Sequence, residues 1–239
     1  MKFLKSYSDI VTENGIDFVS GLWITIYITA ISLIFSVMIG ISIGYLNSVP
    51  VKKKGFSTVI IRSFQWLGRQ YIDLIRGTPL LVQAIFFYFG VVPLIINPIL
   101  KNMWLENMSA EISGIIVISL NAGAYLSEIF RGGIQAIDPG QMEAARSLGL
   151  PFNKAMSKVI LPQAFKNTIP SILNQFIISL KDTSLLMIIG VADLMGEGKI
   201  AYQKNYRVFE TMLIVAFIYY VVIKILTILF KKIEEKLKV

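Results

Sequence analysis

The 239-residue chain contains no cysteine and no histidine, and only 16% of its residues are charged. Without those two residue types it can form no disulfide, and it lacks the thiolate and imidazole ligands that zinc usually takes. So little charge does not suit a water-soluble globule, because 55% of the residues are hydrophobic and the mean hydropathy is +0.67. The composition therefore predicts an integral membrane protein with no metal site and no catalytic residues.

Long apolar runs dominate the chain. The first extends without a charge from Phe18 to Val51, which exceeds the length of about 20 residues that crosses a bilayer. It lacks the two-residue alternation of a barrel strand, so a helix is favoured. The sequence predicts an all-α integral membrane protein with about five transmembrane helices in one domain over residues 1–239. The expected spans are 19–47, 60–96 with a break at 77–79, 110–134, 166–191 and 208–231.

Lysine and arginine are unevenly divided between the two sides of these spans. Fourteen lie on one side and six on the other, and cytoplasmic loops are normally enriched in them. The predicted topology therefore has the N-terminus outside and the C-terminus in the cytoplasm. Basic loops held at an anionic membrane surface also account for the net charge of +8, so membrane lipid is an expected partner and nucleic acid is not. The richer side comprises Lys52, Lys53, Lys54, Arg62, Arg69, Arg131, Arg146, Lys154, Lys158, Lys166, Lys231, Lys232, Lys236 and Lys238.

The stretch Ser57–Arg76 mixes apolar and charged residues, which predicts an amphipathic helix that enters the bilayer. Pro79 cannot donate a helical hydrogen bond and biases Thr78 away from helical geometry, so a break is expected at Gly77–Pro79. Backbone carbonyls freed at membrane depth are tolerated only against protein or a water-filled cavity. The break is therefore a candidate binding site.

Residues 138–162, DPGQMEAARSLGLPFNKAMSKVILP, form a polar segment between the third and fourth spans. Asp138 can cap a helix whose first residue is Pro139, and Gly149 can end it. One face of this helix is expected to be apolar, with Glu143 and Arg146 paired beside it. The helix either contacts another protein or lies on the inner leaflet. The apolar face comprises Met142, Ala145 and Leu148.

The spacing from Glu143-Ala144-Ala145 through Gly149 to Val159-Ile160-Leu161-Pro162 resembles the EAA loop of bacterial ABC importer permeases, with Val159 in place of the usual isoleucine. In that family the short helix is a coupling helix that docks on the ATP-binding subunit. The resemblance implies the type I ABC importer transmembrane fold, with a coupling loop over 138–162. It also implies that Glu143, Ala144, Ala145 and Gly149 contact the ATPase.

The chain contains no GxxxxGK[ST] phosphate loop. We therefore expect a transporter subunit that is not itself an enzyme, with ATP and Mg²⁺ bound by separate ABC ATPase subunits. Five spans enclose no pathway alone, so a second permease copy or a paralogue is also expected. The remaining expected partner is an extracellular or periplasmic solute-binding protein.

Two further motifs, RGTPLL at 76–81 and KDTSL at 181–185, flank the EAA loop. They resemble motifs of the polar amino acid uptake family, where they occur in the same order. The resemblance implies a multi-pass permease of the bacterial cytoplasmic membrane that carries polar amino acids.

The fourth span carries polar residues seven positions apart, Asn174 with Lys181 and Gln175 with Asp182. Lys181 offers a cation for a substrate carboxylate and Asp182 an anion for its ammonium. Alternatively these two residues pair with each other, with Glu128 or with Arg76, and the hydroxyls and amides satisfy nearby backbone. The candidate substrate-binding residues are Thr78, Gln83, Asn174, Gln175, Lys181, Asp182, Thr183 and Ser184.

Gln175 bears on the substrate, because the family has Glu or Gln at this position and a neutral amide removes one attraction for a cationic side chain. A glutamine-like substrate is therefore preferred, with acidic, cystine and basic amino acids as alternatives. A five-span secondary transporter or channel and a membrane scaffold are the competing functions. A secondary transporter should have matching broken helices in two halves, whereas one clear break is evident here. A scaffold would not need polar residues within its spans.

Overall fold

The computed structural model describes residues 2–49, 56–103 and 105–237, and every regular element in these ranges is helical. Lys52, Lys53, Lys54 and Lys238, which contributed to the predicted orientation, lie outside the described residues. The α-helices are α1 (Lys2–Ser48), α2 (Phe56–Arg76), α3 (Leu80–Ile85), α4 (Asn97–Asn102), α5 (Ala110–Gln135), α6 (Pro139–Ser147), α7 (Phe152–Ala155), α8 (Leu161–Asp182), α9 (Leu194–Asn205) and α10 (Val208–Leu237). Two π-helical segments, Phe86–Ile96 and Met156–Ile160, join α3 to α4 and α7 to α8, and a 3₁₀ segment, Thr183–Ile189, follows α8.

Five helical stretches of the described chain are long and apolar enough to cross a membrane. This agrees with the expected all-α membrane fold with five transmembrane helices. The stretches are Ser6–Ser48, Leu80–Asn102, Ala110–Gln135, Phe152–Ile189 and Val208–Lys236.

Several span boundaries differ from the sequence predictions. The second apolar stretch begins at Leu80, after the break, instead of at residue 60. Helix α1 begins at Lys2, so its 47 residues extend for about 70 Å and exceed the thickness of a bilayer. The second span extends past its predicted end at residue 96, because α4 continues it as helix through Asn102. The fourth span begins at Phe152 instead of residue 166, so the second half of the predicted coupling loop is helix.

Prolines explain why the π-helical segments occur where they do. Pro93 lies within the first segment, and Pro162 follows the second. A proline lacks the N–H of an α-helical turn, and its ring clashes with the carbonyl four residues earlier. A wider turn relieves that conflict, and the Leu161 N–H accordingly donates to the Met156 carbonyl, five residues before it. The helix therefore continues through a position at which the sequence predicts a loop.

Contacts divide the chain into two compact units, where the sequence predicted a single domain. Unit 1 comprises residues 1–33, 79–119 and 176–229, and unit 2 comprises residues 34–78, 120–175 and 230–239. Unit 1 has two apolar clusters of buried residues. One contains Ile28, Ala84, Val117, Ile118, Leu186, Ile189 and Val191, and the other contains Ile10, Phe18, Leu194, Ala201 and Val215.

Glycines bring the helices of unit 2 into close contact. A Cβ atom at Gly40 of α1 would lie 2.6 Å from the Leu126 Cβ of α5, and one at Gly133 of α5 would lie 2.3 Å from the Thr168 Cγ2 of α8. Small residues at such positions let helix backbones approach each other in a membrane protein. The packing of α1, α5 and α8 within this unit therefore depends on the lack of a side chain at Gly40 and Gly133.

Two adjacent glycines provide a test of this packing. We expect Gly133→Ala to lower the thermal stability of the purified chain, by about 1–3 kcal/mol, because the methyl group meets Thr168. The matched control is Gly132→Ala, since a Cβ there would have nothing within 4 Å and alanine favours the helix by up to about 1 kcal/mol. In detergent, the unfolding temperature should therefore fall for Gly133→Ala and rise for Gly132→Ala. Equal shifts would contradict the proposed close contact.

Candidate functional site

Helix α6 begins with the cap that the sequence predicts. The Asp138 side chain accepts a hydrogen bond of 2.7 Å from the Gly140 N–H, and Pro139 occupies the first helical position. Proline is favoured there because that N–H has no partner within the helix. The start of α6 is thereby defined by its own sequence.

The end of α6 is equally defined. The Leu150 N–H donates to the Ala145 carbonyl at 3.2 Å, and the Gly149 N–H donates to the Arg146 carbonyl at 3.0 Å. These two bonds form a Schellman motif, which requires a left-handed residue after the helix. Gly149 supplies it with a φ of 83°, which costs a residue without a Cβ little.

The surface of α6 differs in part from the prediction. Glu143 and Ala144 are exposed, but Ala145 is only 5% exposed and faces the chain itself, so it offers no surface to a partner. Leu148, expected on the same apolar face, is 84% exposed. Arg146 does not pair with Glu143, because its Nη1 donates to the Leu150 carbonyl at 3.1 Å and so helps to end the helix.

The predicted break after α2 is present. Helix α2 ends at Arg76, and α3 begins at Leu80. The Thr78 hydroxyl donates to the Leu74 carbonyl at 2.9 Å, so it satisfies one of the carbonyls that the break releases. Thr78 therefore bonds nearby backbone, which was the alternative to a substrate contact. A substrate contact by Thr78 or Gln83 stays a prediction.

The candidate residues of α8 and its 3₁₀ extension differ in accessibility. Asn174 is exposed, whereas Gln175 is only 5% exposed. Lys181 is exposed and Asp182 is half-buried, and neither forms a salt bridge within the described residues of unit 1. The alternative in which these two adjacent charges form an ion pair is therefore not observed.

Thr183 and Ser184 use their hydroxyls locally. The Thr183 hydroxyl donates to the Leu180 carbonyl at 2.8 Å, and the Ser184 hydroxyl donates to the Lys181 carbonyl at 2.6 Å. Thr183 is fully buried, and its contact with a substrate stays a prediction. The eight candidate residues fall in both units: Thr78, Asn174 and Gln175 belong to unit 2, and Gln83, Lys181, Asp182, Thr183 and Ser184 belong to unit 1.

Asp193 is the centre of a buried polar cluster that the sequence analysis missed. Its side chain is fully buried and caps α9, with Oδ1 accepting from the Gly196 N–H at 2.9 Å. The Tyr219 hydroxyl donates to Oδ2 at 3.3 Å and also lies within hydrogen-bonding reach of Thr25 and Thr183. Burial raises the pKa of Asp193 to about 6, although these hydrogen bonds oppose the shift. The cluster thus links the KDTSL motif to α1, α9 and α10.

The only available sequence signal for this cluster was local. An aspartate after an apolar run and three residues before a glycine suggests a helix cap at Asp193. Nothing in the sequence indicates that the cap is buried.

The carboxylate of Glu128 on α5 pairs with arginine side chains, a pairing that the sequence did not decide. Its carboxylate accepts from Arg131 Nε at 3.1 Å and from Arg131 Nη2 at 2.7 Å, and Arg76 Nη1 lies 3.9 Å away. Glu128 is therefore held by arginines of unit 2.

The chain combines five apolar helical stretches with a short capped helix between the third and the fourth. Residues 56–239 match the family model described as "Binding-protein-dependent transport system inner membrane component". The chain belongs to this family. The expectation of an ABC importer permease is confirmed, and the family is one of transporter subunits, in keeping with a role that is not enzymatic.

Curated relatives of this permease carry amino acid names. It is 38% identical over 91% of both chains to the arginine transport system permease protein ArtQ of Bacillus subtilis. It is 35% identical over 92% of both chains to a putative glutamine transport system permease protein GlnP of Rickettsia conorii. The glutamine transport system permease protein GlnP of Escherichia coli is 31% identical over 92% of this chain and 93% of its own.

Solved structures agree with the fold. A crystal structure titled as an amino acid ABC transporter with histidines superposes with a TM-score of 0.79 at 35% identity, covering 95% of this chain and 96% of its own. An inward-facing structure of the MetNI methionine ABC transporter has a TM-score of 0.73 at 17% identity, covering 95% of this chain and 99% of its own, which shows the fold alone. These neighbours confirm the type I ABC importer transmembrane fold.

Proposed function

We propose that this permease carries an amino acid across the bacterial cytoplasmic membrane. The observation that carries the proposal is exposed Lys181 next to half-buried Asp182 at the end of an apolar helix, with no salt bridge from either to a described residue. An adjacent cation and anion outside such salt bridges match the carboxylate and the ammonium of an amino acid. The relatives named for arginine and glutamine support the same substrate class.

The ATPase would be a separate ABC subunit that holds ATP and Mg²⁺. It would dock on the exposed side of α6, around Glu143, Ala144 and Leu148, next to the turn at Gly149. The defined caps of α6 support this role, because a helix fixed at both ends can transmit a movement instead of fraying.

The remaining partners would lie on the other side of the membrane and beside the chain. A solute-binding protein would dock on the outer segments 97–111 and 193–207, which contain α4 and α9. A second permease copy or a paralogue would complete the pathway. ATP-driven closure of the ATPase would then move two α6 helices and switch the permease pair between outward- and inward-facing states. The N-terminus would lie outside and the C-terminus in the cytoplasm.

Uptake by the intact complex tests the proposed function. The chain should be purified from native membranes with its partners, identified by mass spectrometry, and reconstituted into liposomes. We expect an ABC ATPase to co-purify and labelled amino acid to enter only with ATP and the solute-binding protein. ATP-independent uptake driven by an ion gradient would instead support a secondary transporter.

The preferred side chain is proposed to be neutral and glutamine-like, because buried Gln175 places an uncharged amide where a carboxylate would attract a cation. The relatives differ on this point, since one is named for arginine and others for glutamine. Uptake of labelled glutamine should be competed by unlabelled glutamine better than by glutamate, cystine, arginine or histidine. Stronger competition by arginine would overturn the preference.

Replacing Lys181 should separate binding from folding. We expect Lys181→Met to reduce uptake by about 10-fold or more, since a charge-assisted hydrogen bond contributes roughly 1.5–3 kcal/mol. Thermal stability should not fall, because Lys181 is exposed and forms no salt bridge in the described chain. The matched control is Lys166→Met, an exposed lysine on the same helix. Equal uptake by the two variants would argue against a substrate role for Lys181.

A further inference from the structure

A cavity of about 360 Å³ opens in unit 2 among α1, α2 and α5, and none of the candidate substrate residues lines it. It lies near the C-terminal ends of α1 and α5, where the spans end and the segment that contains α6 begins. The volume falls within the range of roughly 300–1,000 Å³ that small-molecule sites occupy. The lining residues that matter are Asn47, Arg69, Asp73, Arg76, Glu128 and Arg131.

Three of these charged groups are committed to one another. Arg131 binds Glu128 through two hydrogen bonds, of 3.1 and 2.7 Å, and the second arginine, Arg76, lies 3.9 Å from the same carboxylate. The Arg76 guanidinium also lies over the Tyr125 ring, 5.4 Å from its centroid. These three side chains bind one another, so few of their donors and acceptors remain available to a ligand.

The remaining two charges have no ionic partner among the described residues. Arg69 donates Nε to the Gln65 carbonyl at 3.3 Å, and no carboxylate lies within 4 Å of its guanidinium. Asp73, one turn later on α2, has no cation of residues 2–49, 56–103 or 105–237 within 4 Å of its carboxylate. The cavity thus offers one available cation and one available anion.

Asn47 lines the cavity beside these charges, but its Oδ1 is buried and out of reach of a ligand there. The ligand is therefore recognised by the two charges: Asp73 calls for a hydrogen-bond donor, whereas Arg69 calls for an oxyanion.

We propose that this cavity binds a zwitterion that carries one oxyanion and one primary ammonium, with the oxyanion at Arg69 and the ammonium at Asp73. Two sources share this chemistry: the headgroup of an aminophospholipid and a free amino acid. The position at the ends of the spans favours access from the headgroup layer, where pockets between membrane helices bind lipid heads. The inference is independent of the proposed transport function, because it concerns binding to the chain itself.

The test is binding to the purified full-length chain in detergent, measured by calorimetry. The probes are water-soluble dihexanoyl phosphatidylethanolamine, phosphatidylcholine and phosphatidylglycerol, together with free glutamine and arginine. We expect phosphatidylethanolamine or an amino acid to bind, and phosphatidylcholine to bind more weakly because its ammonium has no N–H. Binding by none of the five probes at millimolar concentration would overturn the proposal.

Two substitutions on α2 give the decisive comparison. Arg69→Gln and Asp73→Asn should each weaken binding of the zwitterion by about 10-fold, as expected for loss of one charge-assisted hydrogen bond. Arg62→Gln, seven residues earlier on the same helix and outside the cavity lining, should leave it unchanged. Asp73→Asn should at the same time strengthen binding of phosphatidylglycerol, because it removes a repulsive carboxylate.

Whether Asp73→Asn weakens or strengthens zwitterion binding distinguishes a zwitterion site from a plain anion site. Stronger zwitterion binding by Asp73→Asn would show a plain anion site and would overturn the proposal, and so would unchanged binding by both cavity variants. The amino acid measurements are repeated in Lys181→Met, since binding lost there belongs to the candidate substrate residues and rules out the free amino acid as the source. Binding of phosphatidylethanolamine that survives Lys181→Met and is lost in Arg69→Gln supports the lipid source.

Discussion

Uptake should fall to near background when Glu143 is replaced by lysine, although the chain still folds. Glu143 is exposed on α6, so the substitution disturbs no internal contact. The caps at Asp138 and Gly149 keep the helix in place, and the new charge is presented at the position that the glutamate held. A like-charge contact at an interface costs several kcal/mol, which corresponds to a loss of 100-fold or more at about 1.4 kcal/mol for each factor of ten.

Uptake into liposomes and co-purification of the ATPase measure this effect. The matched control is Glu235→Lys, the same charge reversal at an exposed position near the end of α10. Leu148→Asp provides a second substitution on the same surface, and we expect it to weaken co-purification as well. Normal assembly and uptake by Glu143→Lys would show that α6 does not couple the subunits.

Removing the Asp193 carboxylate should destabilise the chain by about 2–4 kcal/mol. Asp193→Ala leaves the first turn of α9 without its cap, which costs about 1 kcal/mol. It also leaves the hydroxyl of Tyr219 without its acceptor, which adds roughly 1–3 kcal/mol for a buried group. Thermal unfolding in detergent measures the sum. Asp193→Asn is the control, because an asparagine caps a helix nearly as well and can still hydrogen-bond to Tyr219.

The stability of the wild-type chain should also fall as the pH rises through about 6. The folded-state pKa of Asp193 is raised to about 6, whereas an unfolded aspartate titrates near 3.9. The folded state therefore holds the proton more tightly, so the stabilisation is complete below pH about 4 and is lost between about 4 and 6. The shift of about two units corresponds to about 3 kcal/mol at most.

Asp193→Asn isolates this contribution. Burial and the nearby Asp17 carboxylate raise the pKa of Glu197 too, and this effect has the same sign and is present in both chains. The difference between the unfolding temperatures of wild type and Asp193→Asn, recorded from pH 4 to 7.5, should therefore follow the titration of Asp193 alone. A constant difference would contradict the assigned pKa.

Features set by neighbouring residues could be predicted from the sequence. The five spans follow from the lengths of the apolar runs, and the break before Leu80 follows from the backbone limits of Pro79. Both ends of α6 follow from Asp138, Pro139 and Gly149, which act on atoms within a few residues of themselves. Such local preferences hold in the folded chain because no tertiary contact opposes them.

Features set by distant residues could not be predicted. Ala145 and Leu148 share one face of α6 by spacing, yet one is buried and the other exposed, because neighbouring helices cover only part of that face. The burial of Asp193 depends on Thr25 and Tyr219, which lie far from it in the sequence. Pro162 would be expected to interrupt a helix. The wide π-helical turn at Met156–Ile160 accommodates the proline, and the helix continues.

The exposure of Leu148 has a consequence for the life of the subunit in a cell. A leucine that is 84% exposed forgoes roughly 1.5–3 kcal/mol of burial energy, which the proposed ATPase would recover on docking. A permease made in excess of its ATPase would display this side chain on a short helix at the membrane surface. Proteases and chaperones that recognise exposed apolar residues could then distinguish orphan subunits from assembled ones, and the ratio of the two proteins would be adjusted after synthesis.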